Sequence, residues 1–244
     1  MSIAFVAAAS FLMLAAGGMV KGALGVGLPL VSVPLLSLVI PPSQAMGLMV
    51  LPVVASNIQQ AWQGGWWKSA SRRFAPLLLA QTVVTLLVIE MSRTWPTKWL
   101  DVAVAVTVIV AVVGMNARPQ AGIPARHEKW AGIVVGALAG VMAGLSSLPG
   151  PMIITYLVAL RLPREEFVGS ISVIYLIGAI PTYAGMLYFG RFELVDIGWS
   201  CVAMVPAWLG LFAGTKVRER LNEKQFRLIL QVLLIILAGV LVFR

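Results

Sequence analysis

The stretch GALGVGLP at residues 22–29 decides the fold of this chain, because it places three glycines and a proline inside an apolar segment. A related stretch, GLSSLPGP at residues 144–151, begins 122 positions later, which is half of the 244-residue chain. Glycine and proline interrupt helices and leave backbone amides without partners inside the helix. The sequence therefore predicts two interrupted helices at matching places in the two halves of the chain.

These interruptions belong to a longer repeat. At the offset of 122 residues, five glycines and prolines of the first half fall on the same residue type in the second half, where about one coincidence is expected by chance. The pairs are Gly18 and Gly140, Gly22 and Gly144, Pro29 and Pro151, Pro41 and Pro163, and Gly47 and Gly169. The similarity lies in where the helix breakers sit, and it indicates an internal duplication.

Composition places the chain in a lipid bilayer. Hydrophobic residues make up 60% of the chain and charged residues 11%, and the mean hydropathy is +0.95, which leaves too little polar surface for a soluble globule. The single cysteine, Cys201, and the single histidine, His127, predict neither a disulfide framework nor a Cys/His metal cluster, and we expect no cofactor. The net charge of +9 does not indicate a nucleic-acid partner, since basic residues do not alternate with aromatic ones along a soluble face.

Ten apolar segments can be drawn along the sequence. Most approach the ~20 residues that a spanning helix needs, while the second, 24–40, and the seventh, 149–162, are shorter and contain prolines. These two are candidates for broken or re-entrant helices. The predicted fold is an all-α polytopic membrane protein with 8–10 transmembrane helices, divided into a first repeat at 1–117, a cytoplasmic linker at 118–129 and a second repeat at 130–244.

Basic residues predict the orientation. With loops assigned alternately to the two sides, 14 of the 18 lysines and arginines fall on one side, including Lys21 between the first two segments. The positive-inside rule makes that side cytoplasmic and places both termini outside, in a cytoplasmic (inner) membrane. Five segments per half is an odd number, so the two halves would form inverted-topology repeats. The four remaining basic residues are Arg93, Lys98, Arg191 and Arg244.

Paired interruptions in corresponding halves are the best sequence pointer to a transporter's binding site. At such breaks, free N–H groups and the positive ends of half-helices would face a ligand near the bilayer midplane, which favours a small anion. Lys21 is interpreted either as a loop lysine that snorkels or as an intramembrane cation. Gln60 and Thr182 are equivalent under the offset, and interhelical hydrogen bonding is the alternative explanation for such polar residues. The predicted site residues are Lys21, Gly22, Gly25, Gly27, Asn57, Gln60, Ser146, Ser147, Gly150, Thr182 and Tyr183.

The glycine-rich break followed by proline, the second proline about twelve residues on, and the copy in the second half resemble the sulfite exporter TauE/SafE family of membrane permeases. The resemblance covers essentially the whole chain. It implies transport of small anions, with sulfite and organosulfur anions such as sulfoacetate as examples. The function that follows is export of a small sulfur-containing anion. An anion channel or a coupled uptake transporter for another small anion is the alternative, and enzyme activity is not expected.

One further pattern concerns packing. Gly132, Gly136, Gly140 and Gly144 recur at every fourth residue and therefore lie on one ridge of a helix. Small residues at this spacing let two helix backbones approach closely in lipid. We predict intramolecular packing along this ridge, and a homo-oligomer built on the same face is the alternative.

Overall fold

A computed structural model describes residues 2–116 and 122–218, together with Val232, Ile235 and Gly239. The described residues form helices joined by short turns, and a single 3₁₀ turn at Ala125–His127 precedes α8. The tenth predicted segment, 225–243, lies largely outside the described residues. The helices are α1 Ile3–Leu24, α2 Leu28–Leu36, α3 Pro42–Leu48, α4 Val50–Gly64, α5 Trp67–Arg73, α6 Ala75–Met91, α7 Thr97–Asn116, α8 Glu128–Ser146, α9 Gly150–Ala159, α10 Arg164–Tyr188 and α11 Leu194–Arg218.

The helical membrane-type fold predicted from composition is confirmed. Among the described residues, four helical stretches are long and apolar enough to cross a bilayer. A fifth is added if α5 and α6, which are bent by 69° relative to each other, count as one span. The predicted total of 8–10 spans stays a prediction. The four stretches are Ala4–Leu24, Ala125–Ser146, Glu165–Tyr188 and Leu194–Lys216.

Exposed apolar side chains mark the lipid-facing sides of these helices. On α11, seven large apolar residues are each more than half exposed. A helix with apolar residues on its exposed face as well as its buried face fits a bilayer rather than water. The seven residues are Leu194, Val195, Trp199, Val202, Val205, Leu209 and Phe212.

The chain separates into two compact units, each of which combines helices from both halves of the sequence. Unit 1 comprises residues Met1–Pro52, Trp95–Val112 and Phe192–Arg244, and unit 2 comprises Val53–Thr94 and Val113–Arg191. Unit 1 therefore contains α1, α2, α3 and α11, whereas unit 2 contains α5, α6, α8, α9 and α10. The sequence boundaries at 1–117, 118–129 and 130–244 remain predictions about the repeat.

The glycine ridge of α8 holds unit 2 together. A Cβ atom on Gly136 would overlap the carbonyl oxygen of Leu77, and one on Gly140 would lie 2.8 Å from the carbonyl oxygen of Gln81. Gly144, further along α8, meets Val88, further along α6, so the two helices run in the same direction. The predicted intramolecular packing of this ridge is confirmed, because only glycine lets the two backbones approach this closely.

Unit 1 contains the same kind of contact between α1 and α11. A Cβ on Gly18 would overlap the carbonyl oxygen of Ala207, and Gly210 makes the reciprocal close approach to Ala15. Gly18 and Ala207 are the positions that correspond, at the offset of 122 residues, to Gly140 and Thr85, whose backbone nitrogen would lie 3.1 Å from a Gly140 Cβ. The α1–α11 contact in unit 1 is therefore of the same kind as the α8–α6 contact in unit 2, but its register is shifted by about one turn, since the carbonyl nearest to Gly18 is that of Ala207 and the carbonyl nearest to Gly140 is that of Gln81.

Both predicted helix interruptions are present in the structure. Helix α1 ends at Leu24, and Gly25 and Gly27 adopt left-handed backbone conformations with φ of 82° and 99° before α2 begins. Helix α8 ends at Ser146, Ser147 is left-handed with φ of 59°, and α9 begins at Gly150. The following helices, α2 and α9, have nine and ten residues, so each alone is about 14–15 Å long, half of a ~30 Å hydrocarbon core.

The prolines of the repeat begin helices rather than bend them. Pro29 and Pro151 lie in the first turns of α2 and α9, where the missing N–H group has no partner to lose. Pro41 and Pro163 are the residues that immediately precede α3 and α10. Four of the five paired positions thus occupy equivalent places, either in a glycine contact or at a helix start.

Filling the ridge of α8 should destabilise unit 2. Replacing Gly136 with valine pushes a side chain into the Leu77 carbonyl, and we expect the free energy of unfolding to fall by about 1–3 kcal/mol. The measurement is thermal or denaturant unfolding of the purified protein in detergent. The control is Gly198→Val on α11, where no atom lies within 4 Å of the added Cβ. Equal stability of the two variants would contradict the packing role.

Candidate functional site

The α8–α9 break in unit 2 gathers hydroxyl groups in an apolar surrounding. Ser147 is buried, and its side chain shares a hydrogen bond with the side chain of Tyr183 on α10, which is also buried. The Ser147 backbone N–H donates to the carbonyl of Ala143 at 2.8 Å and closes the end of α8. The left-handed conformation of a serine is unfavourable by about 1 kcal/mol or more, so the surrounding structure must hold it.

A second tyrosine of α10 reaches the start of α9. A Cβ on Gly150 would lie 2.7 Å from the hydroxyl oxygen of Tyr175, so the absence of a side chain at this position makes room for that hydroxyl. No side chain caps the first turn of α9, and Pro151 contributes no N–H group there. The break is thus bordered by two tyrosines from α10 and by the uncapped, electropositive end of a helix.

Ser146 and Thr182 are buried but use their hydroxyls within their own helices. The Ser146 hydroxyl donates to the Met142 carbonyl at 2.7 Å, and the Thr182 hydroxyl donates to the Gly178 carbonyl at 2.8 Å. Such bonds satisfy the hydroxyl hydrogen and leave the oxygen lone pairs. Ser146 is the last residue of α8, and donation of either hydroxyl to a ligand would require its bond within the helix to break.

Sequence reasoning missed Gln81 on α6. Its side chain is 1% exposed, and neither its amide nitrogen nor its amide oxygen has a hydrogen-bond partner. The amide lies against Gly178, where a Cβ would come within 2.6 Å of its nitrogen, and Gly178 is also the acceptor for Thr182. In the sequence, Gln81 is a polar residue within an apolar segment, but that segment does not directly follow either break, where the polar site residues were predicted.

The predicted residues of α4 lie along a different part of α10. The Gln60 side-chain oxygen accepts a hydrogen bond from the Ser172 hydroxyl at 3.3 Å. Ser172 precedes Thr182 by ten residues, which corresponds to about 15 Å along a helix. Asn57 is buried one turn before Gln60 and has an interaction partner. The equivalence of Gln60 and Thr182 in the repeat therefore does not make them neighbours, and the bond from Ser172 is an interhelical hydrogen bond of the kind that the alternative explanation describes.

In unit 1, the structure places Lys21 inside α1 and not in a loop. Its side chain is 3% exposed and lies one turn before the α1–α2 break, so the interpretation as a snorkelling loop lysine is wrong. Its carbonyl accepts from the Gly25 N–H at 2.7 Å. Gly22 is a packing position, because a Cβ there would overlap the Leu211 carbonyl. Gly25 has open space around it, and Gly27 begins α2 without a side-chain cap.

Salt bridges fix the other ends of the unit 2 helices. Arg73, where α5 meets α6, bonds Glu128 at the start of α8 through Nε at 2.6 Å and Glu166 at the start of α10 through Nη1 at 2.7 Å. The Tyr156 hydroxyl of α9 donates to the Glu128 carbonyl at 3.0 Å. One arginine and one tyrosine thus join four helices of unit 2 at the end opposite to the C-terminus of α6.

Metal chemistry has no visible basis in the described part of the chain. There, no group of three or more histidine, cysteine, aspartate or glutamate side chains could hold a metal ion, and Cys201 is exposed. The chemistry available at the break is therefore hydrogen bonding and the field of helix ends.

Comparison with known proteins gives one match. The family model described as "Sulfite exporter TauE/SafE" matches residues 10–241. Searches of curated proteins and of solved structures found no match.

Two substitutions at Ser147 separate the effect of its left-handed backbone conformation on stability from the effect of its hydroxyl group. Ser147→Gly and Ser147→Ala both remove the hydrogen bond to Tyr183, but glycine also relieves the left-handed conformation. We expect the glycine variant to unfold with a free energy about 1 kcal/mol higher than that of the alanine variant. Denaturant unfolding in detergent measures the difference. A more stable alanine variant would show that Ser147 is not held in this conformation.

Proposed function

Because this chain belongs to the sulfite exporter TauE/SafE family, we propose that it exports a small sulfur-containing anion, sulfite or an organosulfonate such as sulfoacetate, across the cytoplasmic membrane. The α8–α9 break of unit 2 is the proposed binding site for that anion. The observation that carries this proposal is the interruption of helices at both copies of the glycine and proline pattern, with hydroxyl groups beside one of them.

The break offers the donors that an oxyanion needs. The first turn of α9 is uncapped, and Ser147, Tyr175 and Tyr183 bring hydroxyls to the break. Lipid cannot hydrogen-bond to such groups, so an anion that accepts from them replaces interactions that the bilayer does not supply. The partial positive charge at the start of α9 adds an electrostatic preference for anions. Gln81 and Thr182 supply further polar atoms toward the middle of α6 and α10.

The α1–α2 break of unit 1 shares with the α8–α9 break a left-handed residue directly after the first helix, Gly25 in one and Ser147 in the other, but differs from it in charge. Its left-handed Gly25 and Gly27 precede an uncapped helix, as Ser147 precedes α9, but a buried lysine lies one turn before it. A cation at membrane depth favours anions nearby. That both breaks serve one anion at the bilayer midplane stays a prediction from the sequence repeat.

Export requires little machinery. An interior-negative membrane potential assists outward movement of an anion by about 2.3 kcal/mol per charge per 100 mV, so a uniporter is sufficient. Uptake against the same potential would need a coupled proton or cation. We therefore propose outward movement, in a protein whose two inverted halves place both termini outside and most basic loops in the cytoplasm.

A substitution at Gly25 tests whether the α1–α2 break takes part in transport. Gly25→Leu places a bulky side chain in open space at a left-handed position, so it should fill the break without a clash elsewhere. We expect sulfite efflux from loaded proteoliposomes to fall at least tenfold. Gly65→Leu is the matched control, since Gly65 is also left-handed with nothing within 4 Å of an added Cβ but lies between α4 and α5. Equal efflux from both variants would show that the α1–α2 break is not part of the transport path.

The substrate class can be read from ligand-induced stabilisation. A ligand that binds only the folded state raises the apparent melting temperature in proportion to the logarithm of its concentration. We expect sulfite or sulfoacetate to raise the melting temperature of the purified protein more than sulfate, thiosulfate or simple carboxylates at equal concentration. A larger shift with carboxylates than with any sulfur oxyanion would contradict the proposed substrate class.

A further inference from the structure

The backbone at the end of α10 fixes the position of Arg191. Gly190 is left-handed with φ of 71°, its N–H donates to the Leu187 carbonyl at 3.2 Å, and the Arg191 N–H donates to the Met186 carbonyl at 2.7 Å. This pair of bonds is the Schellman motif that folds the chain back over a helix end. Arg191 is consequently only 8% exposed although it lies in a loop between two helices.

The guanidinium group of Arg191 has more donors than acceptors around it. Its Nη2 donates to the hydroxyl oxygen of Ser92, the residue that ends α6, at 2.6 Å. Its Nε and Nη1 are buried and have no hydrogen-bond partner. Within residues 2–116 and 122–218, no carboxylate forms an ion pair with it.

Arg73 shows what a satisfied arginine looks like in the same unit. It lies at the start of α6, whereas Ser92 and Arg191 lie at the end of that helix. Arg73 has two carboxylate partners although 38% of its side chain is exposed. The more deeply buried arginine is therefore the one without a negative partner, the reverse of the usual pattern for buried charges.

Protonation does not resolve this imbalance. Burial lowers the pKa of the Arg191 guanidinium, but an arginine remains protonated in proteins. The C-terminal ends of α6 and α10 contribute partial negative charge nearby. That field helps to keep the cation in place, yet it provides no acceptor for Nε or Nη1. Because the Ser92 hydroxyl donates to the Val88 carbonyl, its oxygen is oriented to accept from Arg191.

We propose that Arg191, held by Ser92, forms a second oxyanion-binding site at the C-terminal ends of α6 and α10, separate from the break at Ser147. The N–H groups on Nε and Nη1 of Arg191, which have no hydrogen-bond partner, match the oxygens of a sulfite, sulfonate, sulfate or carboxylate. The distribution of basic residues predicts that this end of unit 2 faces away from the cytoplasm. If the proposed function holds, this site is the last one that an exported anion occupies.

The test measures anion binding to the full chain in lipid nanodiscs, in a Ser147→Ala/Tyr175→Phe background, which removes two hydroxyl donors from the proposed site at the α8–α9 break. Sulfite, sulfate and methanesulfonate are titrated as sodium salts at constant ionic strength, and the shift in melting temperature is recorded. We expect Arg191→Gln to abolish the shift, Arg191→Lys to weaken binding about tenfold, and Ser92→Ala to weaken it several-fold. Arg73→Gln, the control, should lower the melting temperature without anion but keep the anion-induced shift.

Two results would overturn the proposal. The first is that Arg191→Gln has a lower melting temperature than the parent but the same anion-induced shift. Arg191 would then only stabilise the ends of α6 and α10. The second is the absence of any anion-dependent shift in the parent. If Arg191→Gln does not fold, an unchanged affinity in both Arg191→Lys and Ser92→Ala has the same meaning. If the unmodified protein shows no sulfite efflux, only the proposed function is contradicted. Binding of sulfate and methanesulfonate would still test the site at Arg191.

Discussion

The close approach of helix backbones across glycine is the constraint from which the rest of this structure follows. In lipid, helices gain nothing from hiding apolar surface from one another, so they associate through close packing and hydrogen bonds. Gly136 and Gly140 of α8 bring its backbone against α6, and Gly18 of α1 does the same against α11. These contacts use equivalent positions of the repeat, and in each unit they anchor the helix that ends at a break.

The breaks depend on that anchoring. A chain that leaves the helical conformation inside a bilayer exposes polar backbone, which is tolerated only where protein surrounds it. Helix α8 packs along its length on α6. This packing positions Ser147, at the end of α8, beside Tyr183 of α10, and the ten-residue helix α9 follows. A packing residue and a hydroxyl-bearing residue therefore lie close together at the end of α8. Gly144 supports the frame and Ser147, less than one turn later, faces its hydroxyl partner.

Sequence predicted what is local and missed what is set by tertiary neighbours. The breaks, the short helices and the glycine ridge could be read from the chain because glycine and proline act on their own backbone. The partner of Gln60 could not be read from the repeat, since Ser172 is brought to it by packing. The sequence left two interpretations of Lys21, because this residue lies in a loop or in a helix depending on where α1 ends. In the structure α1 ends at Leu24, so Lys21 lies in the helix. Gln81 stands out in the sequence only as a polar residue in an apolar segment, and the burial of Gln81 and Arg191 without enough hydrogen-bond partners is set by the fold.

The exchange of helices between the two halves has a consequence for biosynthesis. Unit 2 ends at Arg191, whereas α1 in unit 1 packs on α11, which begins 170 residues after α1 ends. At a translation rate of about 5–20 residues per second, roughly ten to thirty seconds separate the emergence of these two partners. During that interval Gly18 and Gly22 of α1 have no helix to pack on, and the insertion machinery or the surrounding lipid must cover them. Helix α1 is thus synthesised well before the helix on which it packs.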